Sequence, residues 1–230
     1  MRFFFVVLLL TSSALAQELF LRQSVETKKV ALAAQVRERV KLFVALEVGS
    51  SWESKGYLDL QLKKTNAILA QCGVGIHEVE ITRVTVTAAA QQVMQQSNPY
   101  LGVPELQFMR ASALPSGRPL GLLFAHRSFY QDAAAFPHKA VENLARTGID
   151  HSALAAVFYV TERHATDRLI RGATASYSTF AHELVHVIAD APEHNLIHGN
   201  LMTSAAGVGA HSGALTQAQC DAIVKELARF

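Results

Sequence analysis

The apolar positions of the chain change period from one stretch to the next, and those changes mark out its elements. VKLFVALEV at 40–48 is a continuous apolar run of strand length, closed by the turn residues Gly49, Ser50 and Ser51. From Gly56 to Gln71 the apolar residues Tyr57, Leu58, Leu62, Ile68 and Leu69 recur at helical spacing. Gly73 stands just past that stretch, where a glycine can take the left-handed conformation that ends a helix. GVGIHEVEITRVTVT, residues 73–87, then alternates apolar and polar side chains, the period of a half-buried strand. PLGLLFAH (119–126) and ALAAVFYVTE (153–162) read as two more strands. The stretch between them is polar and carries turn residues, with an amphipathic helix near 138–146.

IRGATASYS, residues 170–178, predicts an edge strand that feeds straight into a helix over 179–190. The pattern is lost after Ala191-Pro192 and returns at 215–230, a final helix with Thr216 as its N-cap. Residues 17–38 are rich in helix formers of mixed charge, which predicts a helical arm or a short pro-segment. Strands alternating with helices in this order predict an α/β (α+β) fold. Its parts are a mixed twisted sheet backed by helices and a small irregular C-terminal lobe ending in a helix. Residues 39–230 would form one catalytic domain, with its cleft at the end of the 179–190 helix.

The first sixteen residues stand apart from that pattern. MRFFFVVLLLTSSALA has one arginine, an apolar run from Phe3 to Leu10, and small residues ending Ala14-Leu15-Ala16. That is the layout of a secretory signal peptide cleaved before Gln17, so a secreted or periplasmic protein is expected. No later apolar stretch is long enough to cross a bilayer, for which roughly 20 residues are needed. With 21 basic against 19 acidic residues and no basic run, the composition argues against a nucleic-acid partner. The 50% hydrophobic content is enough for a core without extra staples, and a monomer is expected. The two cysteines, Cys72 and Cys220, make an even pair in an exported chain, which predicts a disulfide.

Four of the chain's ten histidines fall between 182 and 198, in AHELVHVIADAPEHNLIHGNLM. His182 and His186 are four residues apart, so on a helix they project from one face about one turn apart. Two imidazoles so placed can ligate one zinc ion, and Glu183 lies beside the metal rather than on it. There a carboxylate can take a proton from a metal-activated water and pass it to a leaving amine. Leu184, Val185, Val187 and Ile188 cover the other faces, so the helix should be buried. A catalytic zinc needs a third protein ligand. Asp190 is too far along the helix from His182, about 12 Å at 1.5 Å per residue. His194 is the first strong donor after the break at Pro192; His198 and Glu226, on the last helix, are the alternatives.

HELVH, a downstream histidine and then Gly199-Asn200-Leu201-Met202 together resemble the metzincin clan of zinc peptidases. The resemblance implies His182, His186 and His194 as zinc ligands, Glu183 as general base, and Met202 as the floor of the site. It also implies a peptide or protein substrate. The match is specific only across residues 181–202, and it has departures. Pro192 stands where the clan has its third histidine, Ala189 where it has its turn glycine, and no tyrosine follows Met202. His211, in a Gly/Ser-rich loop, is expected to be a surface histidine, with a transition-state role as the alternative.

Other chemistries find less support. Ser176 and Ser178 lie in no G-x-S-x-G elbow. Gly172 and its neighbours lack phosphate-loop spacing. His77 and His126 fall in expected strands, where a satisfied histidine is the default. Two function classes therefore stand side by side. One is a secreted zinc-dependent peptidase. The other is a non-catalytic, zinc-stabilised secreted binding protein on a degenerate peptidase scaffold.

Overall fold

A computed structural model describes residues 20–88, 118–125, 133–145, 154–203 and 210–230. The leader read in residues 1–16 and the strand histidine His126 lie outside these residues. Among the described residues six strands form one mixed sheet: β1 (Phe20–Lys29), β2 (Glu38–Glu47), β3 (Val74–Val86), β4 (Leu120–Phe124), β5 (Ala133–Phe136) and β6 (Val157–Thr161). Their order across the sheet is β1-β3-β2-β4-β6-β5. Strands β3, β2, β4 and β6 run parallel, while β1 and β5 are antiparallel additions at the two edges.

The continuous apolar runs become the central strands, as expected where both faces of a parallel sheet are covered. Every residue of β4 and β6 is buried. Alternate side chains feed two cores. Leu42, Val44 and Leu46 join Phe158 and Val160 in the larger, while Phe43 and Ala45 join Leu122 and Tyr159 in the smaller. The larger core is closed by α2 (Tyr57–Leu69) and α4 (Thr179–Ile188). A one-turn α1 (Ser51–Ser54) precedes α2, and the smaller core includes Val141 of α3 (His138–Ala145). The final helix is α5 (Gln217–Glu226). The amphipathic helix near 138–146, the left-handed Gly73 (φ 70°) and the Thr216 cap all stand where the sequence places them.

One glycine sets the depth of α4. A Cβ on Gly121 would meet the Phe158 ring at 2.8 Å, so only glycine lets that ring lie across β4. Phe158 then meets Phe180 of α4 edge to face, with centroids 5.1 Å apart.

Three expectations are corrected. The arm predicted as helical in residues 17–38 holds strand β1 instead, paired with β3 from Phe20↔Val86 to Lys29↔Glu78. Helix-forming residues yield here to the backbone bonds and cross-strand charge pairs that the β3 edge offers, among them Arg83 with Glu26 and Lys29 with Glu78. The strand predicted at 170–178 is a run of turns whose one ladder contact is an isolated bridge, Ala173 to His211. The edge it was to occupy belongs to β5, whose Ala-Ala-Ala-Phe sequence carries no alternating signal. The helix predicted over 179–190 stops at Ile188, before Pro192 could break it.

The two cysteines form a disulfide, Cys72–Cys220, which fastens α5 to the 3-10 turn at the end of α2. No described helix is long and apolar enough to cross a membrane.

Candidate metal centre

Helix α4 presents the HELVH residues, and both of its ends are fixed by side chains remote in sequence. At the N-terminus the Ser178 hydroxyl caps the helix by accepting from the Ala181 N–H at 2.9 Å, and it donates to Gln61 Oε1 at 2.5 Å. The next orphan donor, Thr179 N–H, goes to buried Asp167 at 2.7 Å. Asp167 also accepts from Gln61 Nε2 (2.9 Å) and Lys64 Nζ (2.8 Å), so α2 and α4 share one polar clamp. All ten residues of α4 are buried.

The C-terminus closes with the two hydrogen bonds of a Schellman turn. Ala191 N–H reaches the His186 carbonyl at 3.1 Å, and Asp190 N–H reaches that of Val187 at 3.3 Å. The left-handed position this motif requires, usually glycine, is taken by Asp190 at φ 48°. Its carboxylate accepts from Lys139 N–H at 2.8 Å and from Arg229 at 3.2 Å. Asp190 therefore holds the turn and does not belong to the convergent set.

The chain returns after this turn and brings His194 to the helix. The Nε2 atoms of His182, His186 and His194 lie 3.0, 3.2 and 3.3 Å from one another. The His182–His186 contact is not an ordinary donor–acceptor pair. Nδ1 of His182 meets the Leu201 carbonyl at 2.7 Å, and Nδ1 of His186 meets the Ala191 carbonyl at 2.5 Å. A carbonyl only accepts, so both rings carry their proton on Nδ1 and turn an Nε2 lone pair inward. Lone pairs this close repel unless a cation sits among them. Burial, then the neighbouring His186, pushes the His182 imidazole down to about 3, and burial pushes His186 down to about 4. His194, the exposed member of the three, is lowered as well by partial desolvation. Neutral imidazoles with convergent lone pairs are the form that binds metal, and the three histidines could hold one metal ion.

Glu183 is buried on the same helix, and its carboxylate has no hydrogen-bond or ion-pair partner among the described residues. Burial pushes it up to about 8. Beside it Tyr177 packs against His182, with centroids 6.2 Å apart, and burial followed by the Glu183 charge raises its phenol.

The alternative ligands are elsewhere. His198 is exposed, and its Nε2 accepts from the Ala210 N–H at 3.3 Å. Glu226 is paired with Arg229 at 2.7 Å. Met202 is a buried core residue one position after Leu201, the carbonyl partner of His182. His77 is a strand histidine bonded to the Val40 carbonyl at 2.9 Å. His211 is corrected: it is 5% exposed, not a surface residue, because its backbone bonds to Gly172 and Thr174 draw it in against Tyr177. Sequence reasoning missed Gln61 and Asp167, which carry no local signal. It also passed over Ser178, although a serine just before an apolar helix is an N-cap signature.

No protein-family model matches this sequence, and no curated protein matches it either.

Proposed function

We propose that the protein is a zinc-dependent peptidase, exported to an oxidising compartment, which hydrolyses peptide bonds with Glu183 as general base. The observation that carries this reading is the convergence of three Nε2 atoms, with a buried carboxylate, unpartnered among the described residues, on the helix that bears two of them. Tetrahedral zinc with bonds of 2.0–2.1 Å needs ligand nitrogens about 3.4 Å apart, close to the spacing present. An all-imidazole set suits zinc and leaves a fourth position free. Zinc, when bound, supplies a Lewis acid that polarises a carbonyl and acidifies a water.

The chain's own residues supply the rest. His182, His186 and His194 would hold the ion, and the Leu201 and Ala191 carbonyls fix the first two rings in the ligating tautomer. Beside a bound cation, whose charge would offset the burial that raises its carboxyl, Glu183 would be ionised and could accept a proton from water and deliver it to the departing amine. Among the described residues strand β5 is an antiparallel edge against which α4 packs, so an extended peptide could add to the sheet beside the helix. The disulfide favours export, since such bonds persist in oxidising compartments.

A zinc site serving stability alone has no use for a neighbouring carboxylate left unpartnered among the described residues. That weighs against the non-catalytic binding protein. The test is hydrolysis of a mixed library of quenched peptides by protein exported and purified with its metal. Cleavage should stop on chelation and return with zinc. Protein that holds zinc and cleaves no peptide would leave the binding-protein reading in its place.

A further inference from the structure

Two of the three candidate ligands are held by groups that meet at one side chain. Asn200 is almost fully buried, and its Oδ1 accepts from Asn195 Nδ2 at 2.8 Å, Met202 N–H at 2.9 Å and Gln219 Nε2 at 3.0 Å. Its own Nδ2 donates to Gln219 Oε1 at 2.9 Å, so the two amides face each other as a reciprocal pair. Asn195 follows His194 directly, and its N–H is bonded to the Met202 carbonyl at 2.9 Å. Leu201, between Asn200 and Met202, gives its carbonyl to His182 Nδ1. One amide therefore fixes the backbone beside His194 and the carbonyl that orients His182.

Gln219 is anchored independently of that loop. It closes the capping box of α5, its Oε1 accepting from the Thr216 N–H at 2.7 Å. The following residue, Cys220, ties the same turn of α5 to Cys72. The amide pair thus joins the ligand-bearing loop to a part of the fold that is covalently fixed.

We propose that Asn200 and Gln219 form a positioning pair that sets the affinity of the three-histidine centre for its metal. The proposal rests on the metal-binding part of the function above and not on peptide cleavage. Partners that orient metal ligands typically contribute about 10–100-fold to metal affinity, and neither residue belongs to the convergent donor set.

Zinc affinity is measured by chelator competition on the full exported chain, together with the visible spectrum of the cobalt-substituted protein. Asn200→Ala should weaken zinc by about 10–100-fold and change the cobalt bands. Gln219→Ala should do so to a smaller degree, and the double variant should be no weaker than Asn200→Ala, since both act through one contact. Gln217→Ala removes a contact to Asp221 on the exposed side of α5 and should leave affinity and spectrum as in the parent. Parental zinc affinity and cobalt bands in Asn200→Ala overturn the proposal. If that variant does not fold, parental values in Gln219→Ala overturn it instead. An equal loss in Gln217→Ala overturns it too, because general loosening of α5 then accounts for the effect. A parent that binds no zinc removes both this proposal and the function above, whereas zinc binding without proteolysis removes only the latter.

Discussion

Nδ1 of His186 and the carbonyl of Ala191, five residues further on, are joined by a 2.5 Å hydrogen bond. The bond exists because the chain leaves α4 through the left-handed Asp190, which swings the Ala191 carbonyl back under the ring. A candidate metal ligand is thus oriented by the turn that ends its own helix.

Replacing Asp190 should separate the two parts of that device. Asp190→Ala keeps a Cβ at φ 48° but loses the contacts to Lys139 N–H and Arg229, and should cost about 2–3 kcal/mol. Asp190→Gly loses the same contacts while relieving the backbone, and should cost about 1 kcal/mol less than the alanine. Urea unfolding of both variants checks the ranking; equal losses would mean that the left-handed backbone carries no strain.

The ligand assignment predicts an asymmetry among the histidines. His194→Ala removes a donor and should weaken zinc by more than about 100-fold, beyond the usual effect of a supporting partner. His198→Ala and His211→Ala should leave affinity within a few-fold of the parent, because neither belongs to the convergent set. Equilibrium competition with a chromophoric chelator reads all three. A large loss in His198→Ala would move the third ligand to that loop position.

Much of this centre is legible in the sequence, and the boundary of legibility has a physical cause. His182, Glu183 and His186 share one helix, so a fixed period places them together without knowledge of anything else. His194 follows from reach after a break. The break itself comes earlier than Pro192 suggests, because Asp190 adopts a conformation usually left to glycine and is held there by α3 and Arg229. Strand β1 and strand β5 were unreadable because edge pairing, not local propensity, decides them. Gln61 and Asp167 act across distances of 12 to 117 residues, and Asn200 meets Gln219 19 residues on, in contacts no local pattern encodes.

Acidification should act on the metal-free fold with a definite sign. The folded-state values of His182 and His186, about 3 and about 4, lie below the ordinary 6.5. The unfolded chain therefore takes up protons that the folded chain refuses, and stability falls as pH drops from about 6.5 towards 4 and below. Glu183 acts oppositely. Its folded value of about 8 exceeds 4.5, so the metal-free fold loses stability as pH rises between those values. Glu183→Gln should consequently be more stable than the parent at pH 8 and level with it near pH 4, both without metal. Urea midpoints across that range test it; a parent as stable as the variant at pH 8 would show that Glu183 ionises there freely.

The central claim is that Glu183 does chemistry beside a metal that it does not hold. The most direct measurement pairs zinc stoichiometry with kcat/KM for one cleaved peptide, in the parent and in Glu183→Gln. The account predicts one zinc per chain in both proteins and a rate lower by about 10²–10⁴-fold in the variant, the contribution of a positioned base. A zinc-loaded Glu183→Gln protein that cleaves the peptide at the parental rate would contradict it.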